Sequence, residues 1–362
     1  MKAESIAAGP ISRRSLIKNA AAGALFAGPP ASLLPFASAA MAQPANPPAG
    51  AEMIMRTIPS SGEAVPAIGL GTFLTFDALP GQPREPLRQV LQTYWEGGAR
   101  VVDTSPLYGS GEISVGDFAI ALGISDRLFI SNKIWSTGEY LADESHALRS
   151  LELSEARLWR NPIDLMQCHS LVNVDIILPY LRAWKRDGRI RYTGVTHHEN
   201  IYHPALLSWV ERGGIDFIQV NYSIFNRAAE ERLFPAAQER GIAVNINMPF
   251  EKARLFKLVE GRDPPAFARE FGAETWAAFF LKFVLSHPVV TCVLPATSKP
   301  EHAAENIAAL RGDLPDQAMR ARMIRYMEAI PGFSRISEMP WYPDRRYQGL
   351  IGRAQAALRA RT

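Results

Sequence analysis

Cysteine is nearly absent from this chain of 362 residues, where Cys168 and Cys292 are the only two. Two thiols cannot build the disulfide framework on which small secreted scaffolds depend. Excess charge is lacking as well, with 39 lysines and arginines against 36 aspartates and glutamates. That balance gives no support to nucleic-acid binding, which calls for a strongly basic face. No apolar stretch reaches the ~20 residues that a membrane-spanning helix needs. The one candidate, near the N-terminus, is interrupted by Pro29, Pro30 and Pro35. Heptads and tandem repeats are missing, and so are low-complexity blocks beyond residue 42. The phosphate loop GxGxxG is missing too: "GLGTF" (residues 69–73) has the wrong form for it, which argues against a doubly wound dinucleotide-binding sheet.

What is present begins with "SRRSLIKNAAAGALFAG", residues 12–28. Charge followed by an apolar run, with small residues at Ala40-Met41-Ala42 before Gln43, reads as a cleavable export signal over residues 1–42. The pair Arg13-Arg14, with Ser12 before it and Leu16-Ile17-Lys18 after it, resembles a twin-arginine signal. That resemblance implies a periplasmic or exported protein, a passing partnership with the twin-arginine export machinery, and passage in the folded state with any cofactor inside. Cleavage would remove four basic residues and one acidic one, leaving a chain of balanced charge with no stable membrane span. Residues 43–53, with Pro44, Pro47, Pro48 and Gly50, read as a linker.

From residue 54 the sequence alternates short apolar runs with amphipathic stretches. A small hairpin leads into a first buried strand near Ile68 to Thr72. Strand-like segments follow at 100–105, 128–134, 163–169, 190–197, 217–222, 242–250 and 289–297. Helix candidates lie between them at 85–97, 143–158, 176–187, 203–213, 228–240 and 274–286. The strands are apolar almost throughout, as expected for parallel strands covered by helices. Eight of them predict an α/β (β/α)₈ TIM barrel over residues 54–338, followed by a tail over 339–362.

Such a barrel carries its chemistry at the C-terminal ends of its strands. Asp103 and Tyr108 follow the second strand, Lys133 closes the third and His169 the fourth. A tyrosine is a poor proton donor near neutrality unless its surroundings lower its pKa from about 10. An ammonium does this, and a carboxylate holds the ammonium in place. Lys133 and Asp103 supply those roles, while a histidine orients a carbonyl oxygen or passes the proton. The four suit protonation of a carbonyl oxygen while hydride reaches its carbon. No side chain supplies hydride, so a nicotinamide or flavin is required.

The segments carrying these residues resemble the aldo-keto reductase family. "VVDTSPLYGSGE" (101–112) is similar to its Asp–Tyr signature, "FISNKI" (129–134) to its lysine strand and "DLMQCHS" (164–170) to its histidine strand. "LRAWKRDGRIRYTGVTHHEN" (181–200) and "FIQVNYSIFNR" (217–227) resemble the fifth and sixth strands, and "VLPATSKPEHAAEN" (293–306) the adenosine-binding stretch. The resemblance implies NADPH bound without a Rossmann fold, NADH being possible, and a small-molecule carbonyl substrate. Tyr108 would be the general acid, Lys133 and Asp103 its tuners, and His169 the carbonyl-orienting residue. Gly71 and Thr72 would lie beside the cofactor, while Thr196, His197 and Gln219 would hold the carboxamide. Thr297, Ser298, Lys299, His302, Glu305 and Asn306 would line the adenosine end, near the N–H groups of a helix starting at Pro300.

Three departures stand out. His197 replaces the family's usual Asn, and His302 falls where many members carry Arg, leaving Lys299 as the obvious cation for a 2′-phosphate. Asn247 stands where an aromatic normally stacks beneath the nicotinamide, so either Phe250 substitutes or the ring is held differently. These departures keep alive a rival reading, a non-enzymatic cofactor-binding barrel acting as a redox sensor or interaction protein. His197 and His198, adjacent on a strand end, should point to opposite faces, so no metal site is expected. Cys168 and Cys292 lie on opposite sides of the barrel, too far apart for a disulfide. Substrate choice falls to 170–176, 223–228, 250–274 and the tail. The tail is expected merely to cover the barrel, ahead of closing the mouth or mediating assembly.

Overall fold

A computed structural model describes residues 51–135 and 145–359. The segment read as an export signal, and all but the end of the linker, lie outside these residues. Strands β1 (Met55–Thr57) and β2 (Ala64–Pro66) form the expected antiparallel hairpin. Eight parallel strands follow: β3 (Leu70–Gly71), β4 (Val101–Asp103), β5 (Phe129–Ile134), β6 (Ile163–Cys168), β7 (Ile190–Thr196), β8 (Phe217–Asn221), β9 (Ala243–Asn247) and β10 (Val290–Val293). They pair in chain order, and bridges Ile68–Val293 and Gly71–Ala296 close the sheet into a barrel. At that seam a Cβ on Gly71 would stand 2.8 Å from the Leu294 carbonyl oxygen, so only glycine lets β3 meet β10.

The helices are α1 (Glu85–Glu96), α2 (Gly111–Ala121), α3 (Ser145–Leu158), α4 (Val174–Arg186), α5 (His203–Arg212), α6 (Leu233–Glu239), α7 (Arg254–Leu258), α8 (Trp276–Leu285), α9 (Pro300–Ala308), α10 (Gln317–Glu328) and α11 (Leu350–Arg359). Proline in the first turn starts α1, α5 and α9, where its missing N–H costs nothing. The Thr275 hydroxyl caps α8 by accepting the Ala278 N–H at 3.1 Å. Helix α2 escaped prediction because its exposed face carries Ile113 and Ile120 while its buried face carries Glu112 and Ser114, leaving no polar stripe to betray its period. Among the described residues no helix is long and apolar enough to cross a membrane.

The two-residue period of the strands sorts their side chains. Ile130 and Ile134 of β5 face the large core beneath the helices, while Phe129 turns inward. Phe129, Leu165, Tyr192, Phe217, Ala243 and Cys292 fill the barrel floor, plugged from below by Ile58 and Val65 of the hairpin region. The rings of Phe129, Tyr192 and Phe217 lie 5.6–6.1 Å apart. Each such buried ring contributes about 1.5–3 kcal/mol. Two residues further along each strand the same inward face carries Asp103, Ser131, Gln167 and Gln219. Cys168 belongs to the outer core and Cys292 to the floor, and both are free thiols.

Candidate active site

The register of β4 and β5 sets Asp103 opposite Ser131, and Lys133 follows Ser131 on the inward face. Lys133 Nζ donates to Asp103 Oδ2 at 2.7 Å and to the Thr104 carbonyl at 2.8 Å. Asp103 Oδ1 accepts from Ser131 Oγ at 2.8 Å and Gln219 Nε2 at 3.0 Å. Thr196 Oγ1 donates to Gln219 Oε1 at 3.0 Å, and Thr72 Oγ1 to the Asp103 carbonyl at 2.9 Å. Lys133 is 1 % and Asp103 5 % exposed, so the pair is desolvated and held by several bonds at once. Buried pairs last only when their remaining donors and acceptors are satisfied.

Tyr108 and His169 stand above this pair. Lys133 Nζ is 5.0 Å from the Tyr108 ring centroid, and the Tyr108 and His169 rings meet edge to face at 5.9 Å. His169 Nδ1 lies 3.1 Å from Ser105 Oγ, which fixes the imidazole. The expectation that Lys133 depresses the Tyr108 pKa is corrected here. Burial, then the charge of Asp103 and the nearby Tyr342, hold that phenol well above its ordinary value. Burial is the main cause, and the Asp103 carboxylate, held close by its short ion pair with Lys133, adds to it. Burial, followed by Lys133 and the neighbouring histidines, keeps His169 neutral well below its usual range. The free protein therefore presents a protonated phenol beside a neutral imidazole.

A cavity of about 790 Å³ opens from these residues. Gly71, Thr72, Thr196 and Gln219 line it near Asp103, and Phe250 lines it where that ring packs on Phe256 and Phe280. Thr297, His302, Glu305 and Asn306 line it where α9 begins. His197 does not line it. Strand β7 stops at Thr196, and the His197 ring stacks on Tyr202 at 3.7 Å while Nδ1 accepts the N–H groups of His198 and Glu199. Nor do the two adjacent histidines take opposite faces: their rings lie parallel at 5.4 Å, and His198 is the one at the cavity. Ser298 and Lys299 are exposed and outside the lining. Among the described residues no group of three His, Cys, Asp or Glu is placed to hold a metal ion.

The sequence pointed to the 250–274 loop and to Trp341 and Tyr342 of the tail as pocket walls, but not to Lys252 or Arg345. Lys252 is 8 % exposed, has no hydrogen-bond acceptor among the described residues, and sits 2.9 Å from the Trp341 ring centroid. Burial, with Arg254 nearby, lowers its pKa to about 7. Met248, Glu251, Lys252 and Ala253 all have positive φ, a left-handed run that aims this loop at the cavity. Trp341, Tyr342, Arg345, Tyr347, Ile351 and Gln355 of the tail form another wall, so the tail does more than cover the barrel. A burst of left-handed residues leaves no sequence signature, and neither does the path of a tail.

The donor set fits a dinucleotide. Asn247 Oδ1 and Thr75 Oγ1 are buried at the cavity with no partner among the described residues, and no ion pair engages the Lys252 ammonium among them. Buried polar groups left this way are costly until something completes them. The cavity volume falls within the range of about 300–1,000 Å³ usual for ligand sites.

Comparison with known proteins agrees with this geometry. The sequence model of the aldo/keto reductase family matches residues 67–322. An NADH-specific methylglyoxal reductase of Escherichia coli K12 is 24 % identical over 266 residues, covering 60 % of this chain and 81 % of that protein. The fold is similar to the holo form of an aldo-keto reductase from Bacillus halodurans, with TM-score 0.63, 22 % identity, and coverage of 76 % of this chain and 96 % of that one. It is also similar to an aldo-keto reductase from Klebsiella pneumoniae in complex with NADPH, with TM-score 0.62, 23 % identity, and coverage of 82 % and 99 %. The chain belongs to the aldo/keto reductase family of NAD(P)H-dependent oxidoreductases.

Proposed function

We propose that this protein reduces an aldehyde or ketone to the alcohol with NADPH as preferred cofactor, Tyr108 donating the proton. The observation that carries the reading is the buried Lys133–Asp103 pair beneath a protonated Tyr108 and a neutral His169, at the end of a cavity sized for a dinucleotide. A bound reduced nicotinamide supplies the hydride. His169 holds the carbonyl oxygen near Tyr108. As the carbon takes hydride, Tyr108 gives its proton to the oxygen and is left as phenolate. Lys133 uses two of its three donors on Asp103 and Thr104, and the third is free of partners among the described residues to stabilise that phenolate. Water then returns a proton to Tyr108. Gly71 and Thr72, with Thr196, Gln219 and Asn247, would hold the nicotinamide, and Lys252 would offer a cation to the phosphates.

The same proposal places the enzyme outside the cytoplasm, loaded before export, with the Arg13-Arg14 signal as its support. Replacing both arginines by lysine should hold the protein inside the cell, and undiminished export would count against this route. The function itself is tested by titrating the purified protein with NADPH and NADH, following tryptophan and cofactor fluorescence, then screening aldehydes and ketones. Saturable binding with carbonyl-dependent oxidation of the cofactor supports a reductase. Binding without any turnover favours the sensor reading, and no binding overturns both.

A further inference from the structure

The chain after α10 crosses the barrel mouth as a strap, lying beyond the stretch that the family shares. One end is pinned beside β9: the Tyr342 N–H donates to the Lys252 carbonyl at 2.9 Å, and Lys257 Nζ meets Asp344 Oδ2 at 2.7 Å. The other end is pinned beside β3, where the Ile351 N–H donates to Asp77 Oδ2 at 2.7 Å. Asp77 Oδ1 takes the Ser110 N–H at 3.0 Å, so one carboxylate ties the strap to two barrel loops. Gly349 passes so close that a Cβ there would overlap the Asp77 carbonyl oxygen.

Between these pins Arg345 faces the end of the cavity lined by Thr297, His302 and Asn306. Helix α9 brings no arginine to that end, and Lys299 at its start is outside the lining. Arg345 fills the gap. Burial, then the charges of Lys299 and Arg345, keep His302 below its usual pKa, which puts both cations in electrostatic reach of that ring. Arg345 shares a side-chain hydrogen bond with Tyr347 of the strap, and no ion pair engages it among the described residues. A guanidinium is the side chain best shaped for two parallel bonds to a phosphate.

We propose that Arg345 recognises the 2′-phosphate of NADPH, so that the strap, and not α9, sets cofactor choice. This rests on the reading that the cavity holds a nicotinamide dinucleotide. Arg345 is exposed, so its replacement leaves the core untouched. Calorimetric titration of the purified protein, Arg345→Gln and Lys299→Gln would use NADPH, NADH, adenosine 2′,5′-bisphosphate and 5′-AMP as probes. Losing a charged hydrogen-bonded contact should weaken NADPH and the bisphosphate about 10- to 100-fold in Arg345→Gln. NADH and 5′-AMP should bind as before, and Lys299→Gln should change little. Equal loss for NADH and NADPH, no loss, or a loss carried by Lys299→Gln instead would overturn the assignment. Failure of the unaltered protein to bind either dinucleotide would instead sink the dinucleotide reading.

Discussion

The two ends of the cavity are built by different means. At the catalytic end Asp103, Ser131, Lys133, Thr196 and Gln219 rise from neighbouring strands and bond to one another at 2.7–3.0 Å. Sheet register places them, so they are set before any ligand arrives. At the end lined by α9, His302 and Glu305 come from that helix and Arg345 from the strap, while Lys252, on a left-handed loop, stands beside Trp341 and His198. Their charges are not paired with one another. The contrast shows where preorganisation is worth most: fixed dipoles stabilise developing charge on the reacting oxygen without reorganising. A phosphate needs cations that are free to receive it.

Tyr108→Phe gives the sharpest separation of the two ends. It removes only the hydroxyl, so carbonyl turnover should fall about 10²- to 10⁴-fold. NADPH affinity, read by fluorescence titration, should stay unchanged; unaltered turnover would remove Tyr108 from the mechanism. Asp103→Asn probes the interlocking itself. It leaves a buried ammonium without its carboxylate, and unfolding in urea should report a loss of about 3–5 kcal/mol. A loss near zero would mean that Lys133 is not held as described.

The smallest expected effect is on pH dependence. Burial, with cationic neighbours, lowers the pKa of His169 at one end and His302 at the other, while His198 is lowered to about 4. An unfolded histidine takes up its proton near pH 6.5. Below that value the unfolded chain binds more protons than the folded one, so stability is full above it and declines as the pH falls toward the folded values. Urea midpoints at pH 7.5, 6 and 5 should fall in that order. A midpoint that rose on acidification would contradict the neutral histidines, and Asn in place of His169 should flatten the slope.

Much of the catalytic end was legible in the sequence. Alternation along "FISNKI" already separates Phe129, Ser131 and Lys133 from Ile130 and Ile134, and strand ends are where a barrel keeps its chemistry. The helix starting at Pro300 was also readable, since proline announces a first turn. His197 was not, because a residue one step past the strand end is freed from the strand's alternation. The direction of the Tyr108 shift was hidden too, as it depends first on how completely the fold buries the phenol.

The sequence alone determined the eight strands and which side chains share a face, because the strand period acts over neighbouring residues, and it placed Lys133 and Asp103 at the ends of adjacent strands. Only the tertiary structure decided that Lys252 lies over the Trp341 ring, that Asp77 anchors Gly349 and Ile351 more than 270 positions away, and that Arg345 reaches the α9 end of the cavity. Those contacts join segments distant along the chain, and no local pattern encodes where a strap lands.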